Sequence, residues 1–168
     1  RKTGDISSGE IKGIIEKTIT GAKKIEGFSK SLLTRSRASS KLMPGCLNKI
    51  TGDFAEFMKF LPKFKQNSVT AVLGNNVPNV DLDIDQIQQV LLNLVNNSVE
   101  ALRTASIELS TEFDPIGNAV RLSVKDNGPG VDETILDRLF IEKVTTKVDG
   151  HGYGLPICKQ IIEGHHGS

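Results

Sequence analysis

Asparagine is concentrated in the segment NLVNNSVEAL, residues 93–102. Asn93 and Asn97 are four residues apart, and this spacing places both carboxamides on one flank of a helix. Asparagine is a poor residue for helix interiors, so the cluster favours a specific use. Amide oxygens suit a hard cation such as Mg²⁺, which prefers oxygen ligands. A polar face without a function is the alternative interpretation.

A glycine-rich stretch, TTKVDGHGYGL, occupies residues 145–155. Three of its glycines alternate directly before a predicted helix: Gly150, Gly152 and Gly154. Backbone N–H groups at such a helix start can approach an anion closely. Thr145, Thr146 and Lys147 add two hydroxyls and a positive charge for phosphate. A flexible hinge is the alternative; the Walker A and dinucleotide-binding patterns do not fit.

The third stretch is DNGPG, residues 126–130, one residue after the alternating run VRLSV at 120–124. A strand here ends in a carboxylate, Asp126, and is followed by Gly128, Pro129 and Gly130. These are common turn residues, so a surface turn is the ordinary interpretation. Whether this turn also binds a ligand can be judged only together with the other motifs of the chain.

Hydrophobic periodicity predicts the elements that would position these stretches. The pattern predicts helices at 11–33, 49–61, 83–102 and 132–140 and from Leu155, and strands at 68–73, 106–113 and 119–124. The last two strands are joined by DPIGN and predict an antiparallel hairpin. In the 83–102 helix the expected core residues are Ile87, Leu91, Leu94, Val95 and Leu102. Helices combined with a largely antiparallel sheet indicate the α+β class.

The polar segment 36–45 ends in Pro-Gly and predicts a break between two parts of the chain. We expect a helical segment at 1–42 and a compact domain at 43–168. The chain offers the predicted amphipathic helix 11–33 too few neighbouring elements to bury its apolar stripe. We therefore expect this helix to pack on a second copy of the chain or on a helix outside this sequence. A connector between domains is the alternative.

Composition limits the partners and the compartment. A formal net charge of +1 provides no long-range field for nucleic acid or an anionic membrane. The apolar runs are far shorter than the ~20 residues of a membrane span, so we expect no membrane contact from this chain and a cytoplasmic location, either free or as the cytosolic part of a membrane-anchored sensor. Cys46 and Cys158 are expected to be buried, reduced thiols.

Taken in chain order, five segments resemble the N, G1, F and G2 boxes of one ATPase superfamily: NLVNNSVEAL, DNGPG, LDRLF, TTK and GHGYGLPICKQIIEGHHG. That superfamily is shared by histidine kinases, type II topoisomerases, mismatch-repair ATPases and heat-shock chaperone ATPases. The resemblance covers about residues 83–168. It implies a Bergerat-type fold, a two-layer sandwich of a mixed, largely antiparallel sheet and helices, here preceded by the long helix. The C-terminal strands that complete the sheet in that fold are expected to be missing from this sequence, as in a truncated chain or one with a disordered end.

The resemblance also implies roles for individual residues. Asp126 would accept a hydrogen bond from the adenine amino group, while Gly128 and Gly130 let the base approach the backbone. Asn97 would hold Mg²⁺, and Asn93 would line the phosphate side. The lid over the triphosphate, with the start of the helix behind it, would consist of Thr145, Thr146, Lys147, Gly150, His151, Gly152, Tyr153, Gly154 and Leu155. Asn93 and Lys147 would be the catalytic residues.

One position distinguishes the branches of the superfamily. Hydrolytic members carry a glutamate, four residues before the metal-binding asparagine, as the general base for water; this chain has Asn93 there. Transfer of the γ-phosphate to a protein side chain therefore fits better than hydrolysis. The TTK and GLPICKQIIEGHHG segments resemble sensor histidine kinases of two-component systems, which implies ATP and Mg²⁺ as cofactors.

The phosphoacceptor is expected outside the chain, on the same protein or another. No HE-x-x-NPL box is present, and the three histidines, His151, His165 and His166, lie away from the long helix. The implied partners are a response regulator receiver domain, the phosphoacceptor histidine domain and a second copy bound through helix 11–33. Two alternatives stand: a nucleotide-binding scaffold without transfer activity, and a serine kinase of the mitochondrial dehydrogenase-kinase type.

Overall fold

The computed structural model describes Gly13 and residues 42–102, 104–132, 134, 139–140 and 154–168. The chain divides into two units, 1–36 and 37–168, and every element described below belongs to the second. Apart from Gly13, the predicted helix 11–33 lies outside the described residues, and so does most of the predicted helix 132–140. The domain boundary near residue 42 stays a prediction.

Three helices and five strands make up the described part of the second unit. In chain order they are β1 (Met43–Gly45), α1 (Leu47–Met58), a 3-10 turn (Pro62–Phe64), β2 (Ser68–Leu73), β3 (Val80–Leu82), α2 (Ile84–Ala101), β4 (Ser106–Asp114), β5 (Ala119–Asp126) and α3 (Gly154–Gly164). The main sheet has the order β2-β4-β5, with β2 parallel to β4 and β5 antiparallel to β4. This mixed sheet covered by helices confirms the predicted α+β class. None of the described helices is long and apolar enough to cross a bilayer.

Helix α2 carries the asparagine cluster, and its start is set by local hydrogen bonds. The Asp83 carboxylate accepts from the backbone N–H groups of Asp85 and Gln86, at 3.0 and 3.2 Å. A side-chain oxygen at this position satisfies donors that have no partner inside the helix. The helix ends at Ala101, because Leu102 has an extended backbone (φ −127°, ψ 144°). The prediction of a helix at 83–102 is therefore confirmed to within a residue at each end.

The end of α1 and residues 43–45 differ from the prediction for identifiable reasons. Helix α1 ends at Met58, three residues before the predicted end, and Leu61 is extended (φ −82°, ψ 129°). The ring of Pro62 excludes the helical conformation for the residue before it. The reading of residues 43–45 as part of a break was wrong, because they form β1, which pairs with β3 in the register Met43 to Leu82. Pro44 has no N–H to donate. It is tolerated because each strand of this two-stranded sheet has one unpaired edge.

The core lies between the main sheet and helices α1 and α2. Strand β4 alternates as predicted, with Ile107, Leu109 and Thr111 buried. On α2 the predicted core residues Ile87, Leu91 and Val95 are buried, whereas Leu94 and Leu102 are partly buried. Val90 and Ser98 are buried without having been predicted.

Helix α3 packs along α2 through a second, smaller cluster. Its buried residues are Val90, Cys158 and Ile161, with Leu94, Ile157 and Ile162 packed against them. The expectation for the two thiols was half right: Cys158 is buried, but Cys46 is exposed, and both are free.

His165 ties the end of α3 to the start of α2. The backbone N–H of Asp83 donates to His165 Nε2 at 2.9 Å, and His165 Nδ1 lies 2.7 Å from the carbonyl oxygen of Ile161. Because Nε2 accepts, the ring proton is on Nδ1, which donates to that carbonyl. The two ring nitrogens thus fix the position of α3 relative to α2.

Helix α3 ends in a Schellman motif with a histidine at the position that usually holds glycine. The N–H of Gly167 donates to the Ile162 carbonyl at 2.9 Å, and that of His166 donates to the Glu163 carbonyl at 3.0 Å. His166 has a left-handed backbone (φ 59°) and is exposed. Only glycine adopts this conformation without steric cost.

We expect His166→Gly to raise the free energy of unfolding by about 1 kcal/mol, because it removes this backbone strain. Urea unfolding of the 168-residue chain measures the change. Lys159→Gly, an exposed position inside α3, is the control and should lower stability by a similar amount. Destabilisation by His166→Gly would show that the side chain contributes more than its backbone costs.

Candidate functional site

The carboxylate of Asp126, at the end of β5, is held at both oxygens. Ser98 Oγ on α2 donates to Oδ2 at 2.6 Å, and the backbone N–H of Gly128 donates to Oδ1 at 2.8 Å. Each carboxylate oxygen retains a lone pair, and Asp126 is exposed. A fixed, negatively charged acceptor is therefore available to a ligand at this edge of the sheet.

Ser98 is the residue that joins this carboxylate to the helix. Its hydroxyl also lies 3.2 Å from the Leu94 carbonyl, but it has one proton to donate. The carboxylate is both nearer and charged, so it is the stronger acceptor. Ser98 is 5% exposed. Ser98 was not predicted from the sequence, although a hydroxyl on the core-facing side of an amphipathic helix, next to Asn97, was a signal.

The two glycines of DNGPG are required by the loop itself. A Cβ on Gly128 would lie 2.7 Å from Asp126 Oδ1, so a side chain would displace the carboxylate. Gly130 has a φ of +80°, a conformation that L residues rarely adopt. Asn127 fixes the same loop from outside, since its Oδ1 accepts from the Ser106 N–H at 2.8 Å. At Gly128 and Gly130, the backbone beside the carboxylate therefore carries no side chain.

Asn93 and Asn97 both face the start of α3. Asn93 Nδ2 donates to the carbonyl oxygen of Gly154 at 3.4 Å. A Cβ on Gly154 would lie 4.0 Å from Asn97 Nδ2, so these three residues are close together. Within residues 42–102, 104–132 and 154–168, the Asn97 carboxamide takes part in no hydrogen bond. Ser98 follows Asn97 directly, so α2 brings the amide pair and the Asp126 carboxylate to neighbouring positions.

The third asparagine of the cluster has a different environment. Asn96 Oδ1 accepts from Lys63 Nζ at 2.9 Å, and the same ammonium lies 3.3 Å from Glu100 Oε1. These groups are about half exposed, and such surface pairs contribute little to stability. Asn96 therefore belongs to a hydrogen-bonded network at the surface and not to the candidate site. Its position in the helix sequence alone could not distinguish it from Asn93 and Asn97.

The oxygen ligands among the described residues could hold Mg²⁺ only together with oxygens from water or a bound ligand. Among the described residues, no group of three or more His, Cys, Asp or Glu side chains could hold a metal ion. Mg²⁺ usually keeps several waters and binds through one or two protein oxygens plus the phosphates of a substrate. A single asparagine oxygen, that of Asn97, is consistent with this mode of binding.

Seven of the predicted site residues lie outside the described residues. They are Thr145, Thr146, Lys147, Gly150, His151, Gly152 and Tyr153. Gly154 and Leu155, the remaining two of that set, form the first turn of α3. The described site therefore consists of the end of β5, one flank of α2 and the start of α3.

If Asp126 accepts from an adenine amino group, as the sequence resemblance implies, Ser98→Ala should weaken adenine-nucleotide binding by about three- to tenfold, the value of one hydrogen bond. The carboxylate of Asp126 then keeps only the Gly128 N–H and loses its fixed direction. Calorimetric titration with Mg·ATP measures the change, and Ser68→Ala, which removes the exposed Ser68–Ser106 hydroxyl contact, is the control. Equal affinity of wild type and Ser98→Ala would contradict the assigned role.

Comparison with known proteins identifies the second half of the chain. Residues 82–168 match the family model described as histidine kinase-, DNA gyrase B-, and HSP90-like ATPase. The C4-dicarboxylate transport sensor protein DctS of Rhodobacter capsulatus is 38% identical over 104 residues, covering 60% of this chain and 16% of that protein. The sensor histidine kinase TmoS of Ectopseudomonas mendocina is 34% identical over 136 residues, covering 78% and 14%. The chain thus spans about a sixth of the length of these two relatives.

Solved histidine kinases share the fold. The nucleotide-free catalytic domain of the histidine kinase ThkA is 29% identical with a TM-score of 0.63, and the match covers 74% of this chain and 82% of that domain. ThkA in complex with the response regulator protein TrrA is 25% identical with a TM-score of 0.63, covering 98% of this chain and 48% of that one. These matches extend the agreement from the motifs to the arrangement of the elements.

Proposed function

Because the chain belongs to the family of histidine kinase-, DNA gyrase B- and HSP90-like ATPases, we propose that it is the catalytic core of a two-component sensor histidine kinase. It binds Mg·ATP and transfers the γ-phosphate to a histidine outside this chain. The observation that carries the proposal is the Asp126 carboxylate, which Ser98 and the Gly128 N–H hold at the end of β5.

Asp126 recognises adenine. Its oxygens already accept from Ser98 and Gly128, and their remaining lone pairs accept from the exocyclic amino group of the base. The bare backbone at Gly128 and Gly130 lets the flat ring approach the loop. A carboxylate acceptor gives a stronger hydrogen bond than a neutral one, and its fixed direction makes it selective for a donor.

Asn97 and Asn93 face the phosphates. Asn97 would provide an oxygen to Mg²⁺, and the ion would supply positive charge against the negative charge that develops during transfer. The first turn of α3 directs its N–H groups at the triphosphate. We propose that the lid over it is formed by Thr145, Thr146, Lys147 and residues 150–154, including His151 and Tyr153, with Lys147 supplying a positive charge for the γ-phosphate. Leu155 continues the helix behind the lid.

Transfer is favoured over hydrolysis because Asn93 cannot act as a base. A carboxamide does not accept a proton at neutral pH, and the Asn93 NH₂ group already donates to Gly154. An imidazole nitrogen instead attacks the γ-phosphorus in line: a P–N bond forms, the bond to the bridging oxygen breaks, and ADP leaves with the electron pair. The protein contributes positioning and charge stabilisation.

The partners follow from the same reaction. The phosphoacceptor histidine domain lies elsewhere on the same protein or on another, and a receiver domain of a response regulator takes the phosphoryl group next. The solved complex of ThkA with its response regulator TrrA supports this kind of partner. We further propose that the segment 11–33, predicted from the sequence to be a helix, pairs two copies, and that the chain operates in the cytoplasm, where ATP is available.

Phosphotransfer with ATP labelled at the γ-phosphate tests the proposal. The chain is incubated with and without a purified helical domain that carries a phosphoacceptor histidine, and a histidine-to-alanine version of that domain is the control. We expect label on the intact acceptor alone, as an acid-labile phosphoramidate, and little free phosphate without it. Binding of ATP without transfer would indicate a scaffold, and phosphate release independent of the acceptor would indicate a hydrolase.

A further inference from the structure

Cys158 lies beneath Asn93 at the packed face between α2 and α3. The thiol is 4% exposed and belongs to the cluster with Val90 and Ile161. Asn93 Nδ2 lies 3.7 Å from Cys158 Sγ, and that sulfur lies 3.9 Å from the carbonyl oxygen of Val90. The function proposed above uses Asn93 and gives no role to this cysteine.

These contacts fix which way the Asn93 carboxamide points. Its NH₂ group has two protons, and two acceptors face it: the Gly154 carbonyl oxygen and the Cys158 sulfur. A carboxamide turned by 180° would place Oδ1 against the Gly154 carbonyl oxygen, with no hydrogen bond between them, and could accept from Cys158 only if the thiol gave up its contact with the Val90 carbonyl. The amide oxygen is therefore directed away from the Gly154 carbonyl and the Cys158 sulfur.

The thiol can serve as the acceptor because its own proton is used elsewhere. A thiol is a weak donor and a weak acceptor, and the Cys158 S–H donates to the Val90 carbonyl. Burial raises the pKa of Cys158, so the thiol stays protonated and keeps this donor. A short chain of hydrogen bonds thus runs from Asn93 through Cys158 to the backbone of α2.

We propose that Cys158 is a positioning residue, which holds the Asn93 amide so that its oxygen faces the Mg²⁺ and phosphate side of the site. The inference rests on the proposed function for the ligand and on the contacts above for the geometry. A small apolar side chain would fill the same space in the core but would leave one amide N–H of Asn93 without an acceptor. Only the 3.4 Å contact with the Gly154 carbonyl would then hold the carboxamide, so its orientation would be less fixed.

Two substitutions separate positioning from packing. Cys158→Val preserves the apolar volume and removes the acceptor, whereas Cys158→Ser preserves a donor and an acceptor. Cys46→Ser, at the exposed cysteine, is the matched control. Binding of Mg·AMP-PNP reports on the phosphate side, and binding of adenosine reports on the base pocket alone.

We expect Cys158→Val to weaken Mg·AMP-PNP about three- to tenfold, as for one lost hydrogen bond, with adenosine affinity unchanged. Cys158→Ser and Cys46→Ser should bind both ligands like the wild type. In nucleotide-free protein, the side-chain amide NMR signal of Asn93, assigned with Asn93→Ala, should move to the position of an amide proton without an acceptor in Cys158→Val and should stay in the hydrogen-bonded range in Cys158→Ser.

Three results would overturn the inference: an unshifted Asn93 signal in Cys158→Val, equal loss of affinity in the serine and valine variants, or parallel loss of adenosine and Mg·AMP-PNP. The last would identify Cys158 as a packing residue only. Failure of the wild type to bind either ligand would instead remove the proposed function, and the Asn93 signal would still decide the orientation.

Discussion

Mg·ATP binds the Asp126→Asn variant about ten- to a hundredfold more weakly than the wild type, if the carboxylate recognises adenine; this range is the value of one hydrogen bond to a charged group. The substitution changes almost no volume, so the fold should persist. Calorimetric titration of both proteins with Mg·ATP measures the difference.

The direction of the effect follows from the donors that surround residue 126. The backbone N–H of Gly128 cannot turn, so it requires an oxygen at the Oδ1 position. An asparagine must therefore place its NH₂ group at the Oδ2 position, where the Ser98 hydroxyl can reverse and accept from it. That NH₂ group then meets the adenine amino group as donor against donor, which leaves a polar group without a partner.

Asp114→Asn is a closely matched control. Asp114 lies at the opposite end of the β4–β5 pair, and its carboxylate also accepts backbone N–H groups two and three residues ahead, from Ile116 and Gly117. Hydrogen bonds from Gly117 and Ile116 hold the pKa of Asp114 below its ordinary value. We expect this variant to bind Mg·ATP normally. Equal weakening by both substitutions would attribute the effect to the turns instead of the base pocket.

The second large effect concerns the helix that carries the site. Leu91 on α2 is completely buried, and Leu91→Ala should lower the free energy of unfolding by about 2–5 kcal/mol, because it removes buried apolar surface and leaves a cavity. Urea unfolding measures the change. Nucleotide affinity in the fraction that remains folded should fall less than in Asp126→Asn, because Leu91 faces the core and not the asparagine flank.

Leu73→Ala provides the comparison for this prediction. Leu73 ends β2 and is 43% exposed, so the same change of side chain should cost much less, within about 1 kcal/mol. If the two variants were equally stable, the core would not lie between α2 and the sheet. A Leu91→Ala variant as stable as the wild type would lead to the same conclusion.

Local signals explain why much of the fold could be predicted from the sequence. Helix α2 has an aspartate cap and a regular apolar stripe, and the β4–β5 hairpin is formed by neighbouring alternating runs. Strands β1 and β3 were not predicted, because they are three residues each and pair across a long stretch of chain. Nothing local in Met-Pro-Gly favours a strand, and only its distant partner specifies one.

The site was predictable where a residue type is unusual for its position, as with Asp126 after a strand and the asparagine pair on a helix. Ser98 and Cys158 were missed because serine and cysteine are ordinary in a helix. Their importance depends on which group faces them across the fold, the Asp126 carboxylate and the Asn93 amide. Asn96 shows the reverse: an unusual residue whose partner, Lys63, lies at the surface.

The most direct test of the central claim compares Mg·ATP with Mg·GTP by calorimetric titration of the wild-type chain. Guanine presents an oxygen acceptor at the ring position where adenine presents its amino donor, and that oxygen would face the Asp126 carboxylate. We predict binding of Mg·ATP and at least about tenfold weaker binding of Mg·GTP. Equal affinity for the two nucleotides, or no binding of Mg·ATP, would contradict the assignment of Asp126 as the residue that reads adenine.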